Sequence, residues 1–225
     1  MKFLSISGAA TQMARFAVKT SIVFAGLCSA ISANAQAIDP QNYAVLSLIG
    51  DNLSLVVYTG ATGTNNKPTR KELIPSSTTV FDDAAAHGAA EAIKQFQPDA
   101  TEKLFSTNAP ILYKLQGKIF DSGSDGDAAR DVIRTVLKDS PVTRLIVITK
   151  YKSYAHLKMP TLNSYLGSGE LEGIGYYVDD LKRVRAESGE RGKGFLSSFA
   201  YVRATLLDAK TLEVIRDQVN VSSDP

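Results

Sequence analysis

The segment Lys150-Tyr-Lys-Ser-Tyr-Ala-His156-Leu-Lys158 concentrates more chemistry than any other stretch of this chain. Lys150 and Lys152 can hold an anion, Tyr151 and Tyr154 can stack or donate hydrogen bonds, and His156 can carry protons near neutral pH. The segment follows an unbroken apolar run, Leu145-Ile-Val-Ile148. In open α/β sheets the crevice beyond the carboxyl ends of the strands is the favoured ligand site. Lys150, Tyr151, Lys152, Tyr154 and His156 are therefore the candidate binding residues, for a small anionic or carbohydrate ligand or for an envelope protein. A hydrolytic alternative uses His156 as a base and needs a concave pocket with a carboxylate or hydroxyl in reach of the imidazole. The plainest alternative makes Tyr151, Tyr154 and His156 an amphipathic wall over the sheet edge.

The other candidates fail on chemistry. Gly50-Asp-Asn-Leu53 resembles the Gly-Asp-Ser-Leu block of a serine hydrolase family, but Asn52 stands where the nucleophilic hydroxyl is required. The same residues have hairpin-turn chemistry. Asp121-Ser-Gly-Ser-Asp-Gly-Asp127 spaces carboxylates as calcium loops do, yet the position that needs a bidentate glutamate is Val132. The only histidines are His87 and His156, too few for a three-histidine zinc site. Gly189 to Gly194 lacks the order of glycines, lysine and hydroxyl residue that cradles a phosphate. No catalytic residue is assigned, and neither a metal nor a cofactor is expected.

The first 35 residues read as a secretory signal. Lys2, Arg15 and Lys19 precede any acid, an apolar run covers Ile22 to Leu27, and small residues end at Ala33-Asn-Ala35. Cleavage is expected after Ala35, or after Ala37. The uninterrupted apolar run falls short of the ~20 residues that span a bilayer. Cys28, the only cysteine, follows Leu27 where a lipobox needs a small residue, so the mature chain has neither disulfide nor thiol nucleophile. The segment carries three of the 25 basic residues and none of the 23 acidic ones, so residues 36–225 have a formal charge of −1. That balance offers no electrostatic reason for nucleic acid or a strongly anionic membrane as partner. A periplasmic or secreted location follows.

The elements that position these residues read as one soluble α/β domain over 36–225. Tyr43–Ile49 and Leu53–Tyr58 predict two strands joined by the 50–52 turn, an N-terminal hairpin. Residues 59–71 predict a loop, and a short strand is expected at 78–81. Ala85, Ala89, Ile93 and Phe96 predict a helix over 83–97, capped by Asp82 or Asp83. Ala129, Val132, Ile133, Val136 and Leu137 predict a second over 127–138, and Asp127 is its expected cap. Arg144–Thr149 predicts a strand covered on both faces. Residues 179–194 predict a long turn or loop, followed by an antiparallel C-terminal hairpin over 195–218. The fold class expected is α/β, in two or three layers, with a mixed sheet and an antiparallel hairpin at each end.

At that hairpin, Phe199-Ala-Tyr-Val-Arg-Ala-Thr-Leu-Leu-Asp208-Ala-Lys-Thr211-Leu-Glu-Val214 resembles a strand, Asp/Thr turn and return strand found in bacterial envelope proteins, those like the curli secretion lipoprotein and related periplasmic α/β domains. A glycine commonly follows the threonine in that group; here Leu212 stands there. The resemblance implies an envelope assembly or accessory role and carries over no catalytic residue. An exported, non-enzymatic binding protein is the leading functional expectation.

Overall fold

The computed structural model describes residues 41–60, 69–121, 123–159, 165–185 and 191–224. The signal-like segment and its cleavage positions lie outside the described residues. Among them a nine-stranded mixed sheet dominates, with three α-helices.

The N-terminal hairpin forms one strand later than the 50–52 turn predicts. β1 (Asn42–Ser47) lies parallel to both β4 (Thr101–Phe105) and β5 (Arg144–Lys150). β2 (Asn52–Tyr58) lies parallel to β9 (Glu170–Arg185) and forms the antiparallel hairpin with β3 (Thr69–Pro75). Both β5 and β9 run antiparallel to β10 (Arg191–Asp208), β5 along Val202–Asp208 and β9 along Arg191–Tyr201. Since β1 follows β5 and β2 follows β9, β1 and β2 run end to end in one direction. Residues 48–51 are a break within a line. β11 (Val214–Asp224) covers the other edge of β10 and completes the C-terminal hairpin where the sequence places it.

β5 is the interior strand its apolar run predicts, and its alternating side chains feed two cores. Ile146 and Ile148, with Tyr43, Val45, Val202, Ala204 and Leu206, pack against α1 (Val80–Phe96) through Ala86, Ala89 and Ile93. Leu145 and Val147, with Ala44, Leu46 and Leu207, pack against α2 (Pro110–Leu115) and α3 (Ser124–Leu137) through Leu112, Ala129, Ile133 and Leu137. This half of the domain is a three-layer sandwich. Burial of such side chains stabilises by about 1.5–3 kcal/mol each.

Local corrections have local causes. The strand expected at 78–81 is the start of α1, because Thr79 bonds Asp83 side chain to side chain at 2.8 Å and frees Asp82 to turn inward. α3 begins at Ser124, so Asp127 sits in its first turn and pairs with Arg130 at 2.7 Å instead of capping. Asp125 pairs with Lys118, so two carboxylates of the calcium-like loop are engaged by cations. The long turn expected over 179–194 includes strand residues on both sides, paired as a ribbon. In the last hairpin, Asp208 Oδ1 accepts the backbone N–H groups of Lys210 at 2.9 Å and Thr211 at 3.1 Å. Leu212 adopts φ 59°, a left-handed conformation that favours glycine, with its side chain buried.

Candidate recognition surface

Structure separates the five candidate residues. Lys150, the last residue of β5, turns into the strand break. Its side chain is 10% exposed, pairs with Asp51, and donates to Asn52 Oδ1 at 2.9 Å. Its backbone N–H donates to Gln116 Oε1 at 2.8 Å. Asp82 closes the same break from α1. Its Oδ1 accepts Ser47 Oγ at 2.6 Å and the N–H groups of Ile49 at 2.8 Å and Gly50 at 3.2 Å, and its Oδ2 accepts Tyr113 O–H at 2.8 Å. A side chain at Gly50 would collide with that carboxylate. Burial, then the bond to Asp82, pushes the Tyr113 phenol well above its ordinary range. This polar cluster lies at the carboxyl ends of β1 and β5, where ligands commonly bind. Its groups are spent on one another, so it acts as a clamp that holds two strand segments in line.

Tyr151 lies under the Arg203 guanidinium, 5.4 Å from the ring centre, also away from the rest. Beyond it, β6 (Lys152–Tyr154) pairs with the start of β9, and Lys152 meets Glu170 at 2.6 Å. From Tyr154 the chain alternates: Tyr154, His156 and Lys158 are exposed, while Ala155 and Leu157 pack inward on Tyr177, Phe199 and Tyr201. β7 (Leu157–Lys158) pairs with β8 (Tyr165–Leu166), placing Tyr165 beside Lys158. His156 stacks on Tyr165 with ring centroids 3.6 Å apart and planes at 21°. Tyr154 is 77% exposed and Tyr165 58%. The surface is thus an aromatic ledge of Tyr154, His156 and Tyr165, flanked by Lys152 and Lys158.

The ledge is held from beneath by two wholly buried tyrosines. Tyr201 Oη accepts the His156 N–H at 2.7 Å, and Tyr177 Oη accepts the Ser168 N–H at 3.0 Å. Burial raises both phenols above the ordinary tyrosine range, against a smaller opposing effect of these backbone bonds. A pKa raised in the fold contributes stability that is complete below the unfolded value of about 10 and is lost as pH rises toward the folded value. Denaturant unfolding should therefore show stability falling above about pH 10, and Tyr201→Phe should make that fall shallower. A fall of the same size in Tyr201→Phe would remove Tyr201 from the alkaline transition.

The hydrolytic alternative requires a carboxylate or hydroxyl within reach of the His156 imidazole. His156 stacks on an aromatic ring at an exposed edge, and none of the hydrogen bonds among the described residues joins its imidazole to a carboxylate or hydroxyl. Sequence reasoning missed Tyr165, which stands apart from the 150–158 run in a stretch rich in glycine. The β-hairpin that joins it to Lys158 has only two residues a side, too short to register as strands. It also missed Tyr177 and Tyr201 as supports, because their roles depend on contacts distant in the chain.

No protein-family model matches the chain, and no curated protein matches it. Among solved structures, the LpoB C-terminal domain from Salmonella enterica is similar over 90% of this chain and 97% of that one, at 8% sequence identity and a TM-score of 0.33. A likeness that loose carries neither activity nor partner across. Among the described residues no helix is long and apolar enough to cross a membrane.

Proposed function

We propose that this chain is an exported, non-enzymatic component of the cell envelope that binds another envelope component through Tyr154, His156 and Tyr165. The observation that carries the reading is the exposed ledge itself: stacked His156 and Tyr165 beside a Tyr154 left 77% open to solvent. Large aromatic side chains on a rigid base lose little conformational freedom on binding, and such residues dominate recognition energetics. Here the base is β6 and the β7–β8 hairpin, pinned by Leu157 and by the Tyr201 hydroxyl. Export rests on the basic, apolar and small-residue order of residues 1–35. The occupant is an envelope protein or a carbohydrate polymer, since a phenol ring stacks on either an apolar side chain or a sugar face.

The test is binding by the purified mature chain to envelope extract and, separately, to isolated cell-wall glycan. Tyr154→Ala combined with Tyr165→Ala should weaken the interaction by about 2–3 kcal/mol, or roughly 30- to 150-fold, while leaving the fold intact. A folded double variant that keeps the same partner at the same affinity would place recognition elsewhere.

A further inference from the structure

The clamp at the strand break brings an amine, a primary amide and a carboxylate into mutual contact. Lys150 Nζ donates to Asn52 Oδ1 at 2.9 Å, so the amide carbon lies one bond beyond the contact. Asp51 engages the same two groups. Its Oδ1 pairs with Lys150 Nζ, and its Oδ2 accepts Asn52 Nδ2 at 2.8 Å. Lys150 is 99 residues from Asp51 in the chain, so the fold alone assembles this trio. The lysine has little freedom to leave it. Its backbone N–H donates to Gln116 Oε1 at 2.8 Å, its side chain is 10% exposed, and its stem runs past Gly173. Gly173 has φ 69°, and a Cβ there would lie 2.8 Å from Lys150 Cδ and 2.9 Å from Cγ. The stem fits along this path only because residue 173 has no side chain.

We propose that Lys150 and Asn52 join covalently, the amine displacing ammonia from the side-chain amide to form an isopeptide bond. Asp51 takes one proton from Lys150 Nζ, which leaves a lone pair facing the amide carbon. The Nζ–Cγ bond forms and the Cγ–Nδ2 bond breaks. A second lysine proton passes to the departing nitrogen through the Asp51 carboxylate, which touches both, and the third stays on the new amide. Ammonia then takes the first proton from Asp51 and leaves as ammonium, so Asp51 ends as the carboxylate it began as. No oxidant or co-reactant is consumed. An amide is a sluggish acceptor, but groups fixed in contact react with effective molarities of about 10⁵ M or more. The link ties the end of β5 to the start of β2, and so bolts the β1–β5 side of the sheet to the β2–β9 side across the break. It depends on neither the ledge nor any ligand.

Peptide mapping of the purified, folded chain after incubation at neutral pH tests it. Trypsin should fail to cut after Lys150, and residues 145–152 should appear joined to the peptide that carries Asn52. The joined species should be lighter than its two parts by one ammonia, and fragmentation should place the branch at Lys150 and Asn52. Whole-chain mass is the weaker readout, because cleavage after Ala35 leaves Gln36 first, and an N-terminal glutamine also sheds ammonia when it cyclises. Lys150→Arg and Asn52→Ala each remove a reacting group and should give no joined peptide. Asp51→Asn keeps both reacting groups and the shape of the carboxylate while removing the proton carrier, and should lower the yield about tenfold or more. A folded wild type with Lys150 unmodified would reduce the trio to an ion pair and overturn the proposal. So would a branch from Lys150 to Asp51 in place of Asn52, or a wild-type yield in folded Asp51→Asn.

Discussion

Asp82→Ala should cost about 3–5 kcal/mol of folding stability, a large share of the roughly 5–15 kcal/mol that holds a domain of this kind together. The carboxylate is 6% exposed and accepts four hydrogen bonds, from Ser47, Ile49, Gly50 and Tyr113. Each buried donor left without an acceptor costs about 1–3 kcal/mol, reduced where water or relaxation reaches it. Asp82→Asn separates the loss of a charge from the loss of an acceptor. Its amide oxygen can keep the three bonds at the Oδ1 position. Its amide nitrogen can donate to Tyr113 Oη, whose own proton is free for the Thr107 carbonyl, 3.3 Å away. Asp82→Asn should therefore lose only about 1 kcal/mol. Denaturant midpoints for both variants decide it: equal, small losses would show that the break at 48–51 does not depend on this clamp.

The second large effect is expected at Gly175. A Cβ built there would overlap the carbonyl oxygen of Ser54 and lie 2.7 Å from that carbonyl carbon and 2.9 Å from the Ser54 nitrogen. These are backbone atoms of the paired strand, so no side-chain rotation relieves the clash. Gly175→Ala has to push β2 away from β9, at a cost of about 3 kcal/mol or more. Because β9 also carries the start of the ledge, amide exchange should accelerate in residues 170–178 together with β2. Gly88→Ala is the matched control. It lies within α1 with nothing inside 4 Å of the added Cβ, and should gain about 0.5–1 kcal/mol. Similar small effects from the two substitutions would contradict the close packing of β2 on β9.

These positions also show what local sequence can express. The apolar run of β5, the periodicities of α1 and α3, and the Asp208–Thr211 turn are local signals, and the structure follows them closely. Gly50-Asp51-Asn52 is different. A turn motif between two alternating segments reads the same whether the chain reverses or continues after a break. Its fate is decided by Asp82, which caps the freed backbone N–H groups from a separate helix. The β9–β10 ribbon was illegible for the opposite reason: its glycines and opposed cations argue against a strand pair, and continuity with the long paired strands overrides them. The close approach of α1 to the sheet uses the small side chains of Ala86 and Ala89, while a Cβ at Gly88 would meet nothing within 4 Å.

The candidate site was legible in part. Alternation along 154–158 predicts which side chains share a face, and Tyr154 and His156 do so. Lys150 ends β5 and Tyr151 follows it directly, and their side chains turn into the clamp and under Arg203, away from the ledge. Tyr165 became visible only through its stack with His156.

The most direct test of the binding account is a photo-crosslinking residue placed at 154 in the exported chain, with a second chain carrying it at 136. Val136 is 37% exposed on α3, remote in the chain from the ledge, and serves as the control surface. The account predicts a discrete, reproducible adduct to one envelope component from position 154, absent from position 136 and abolished by Tyr165→Ala. No adduct at 154, or the same adducts from both positions, would contradict a recognition surface at the ledge.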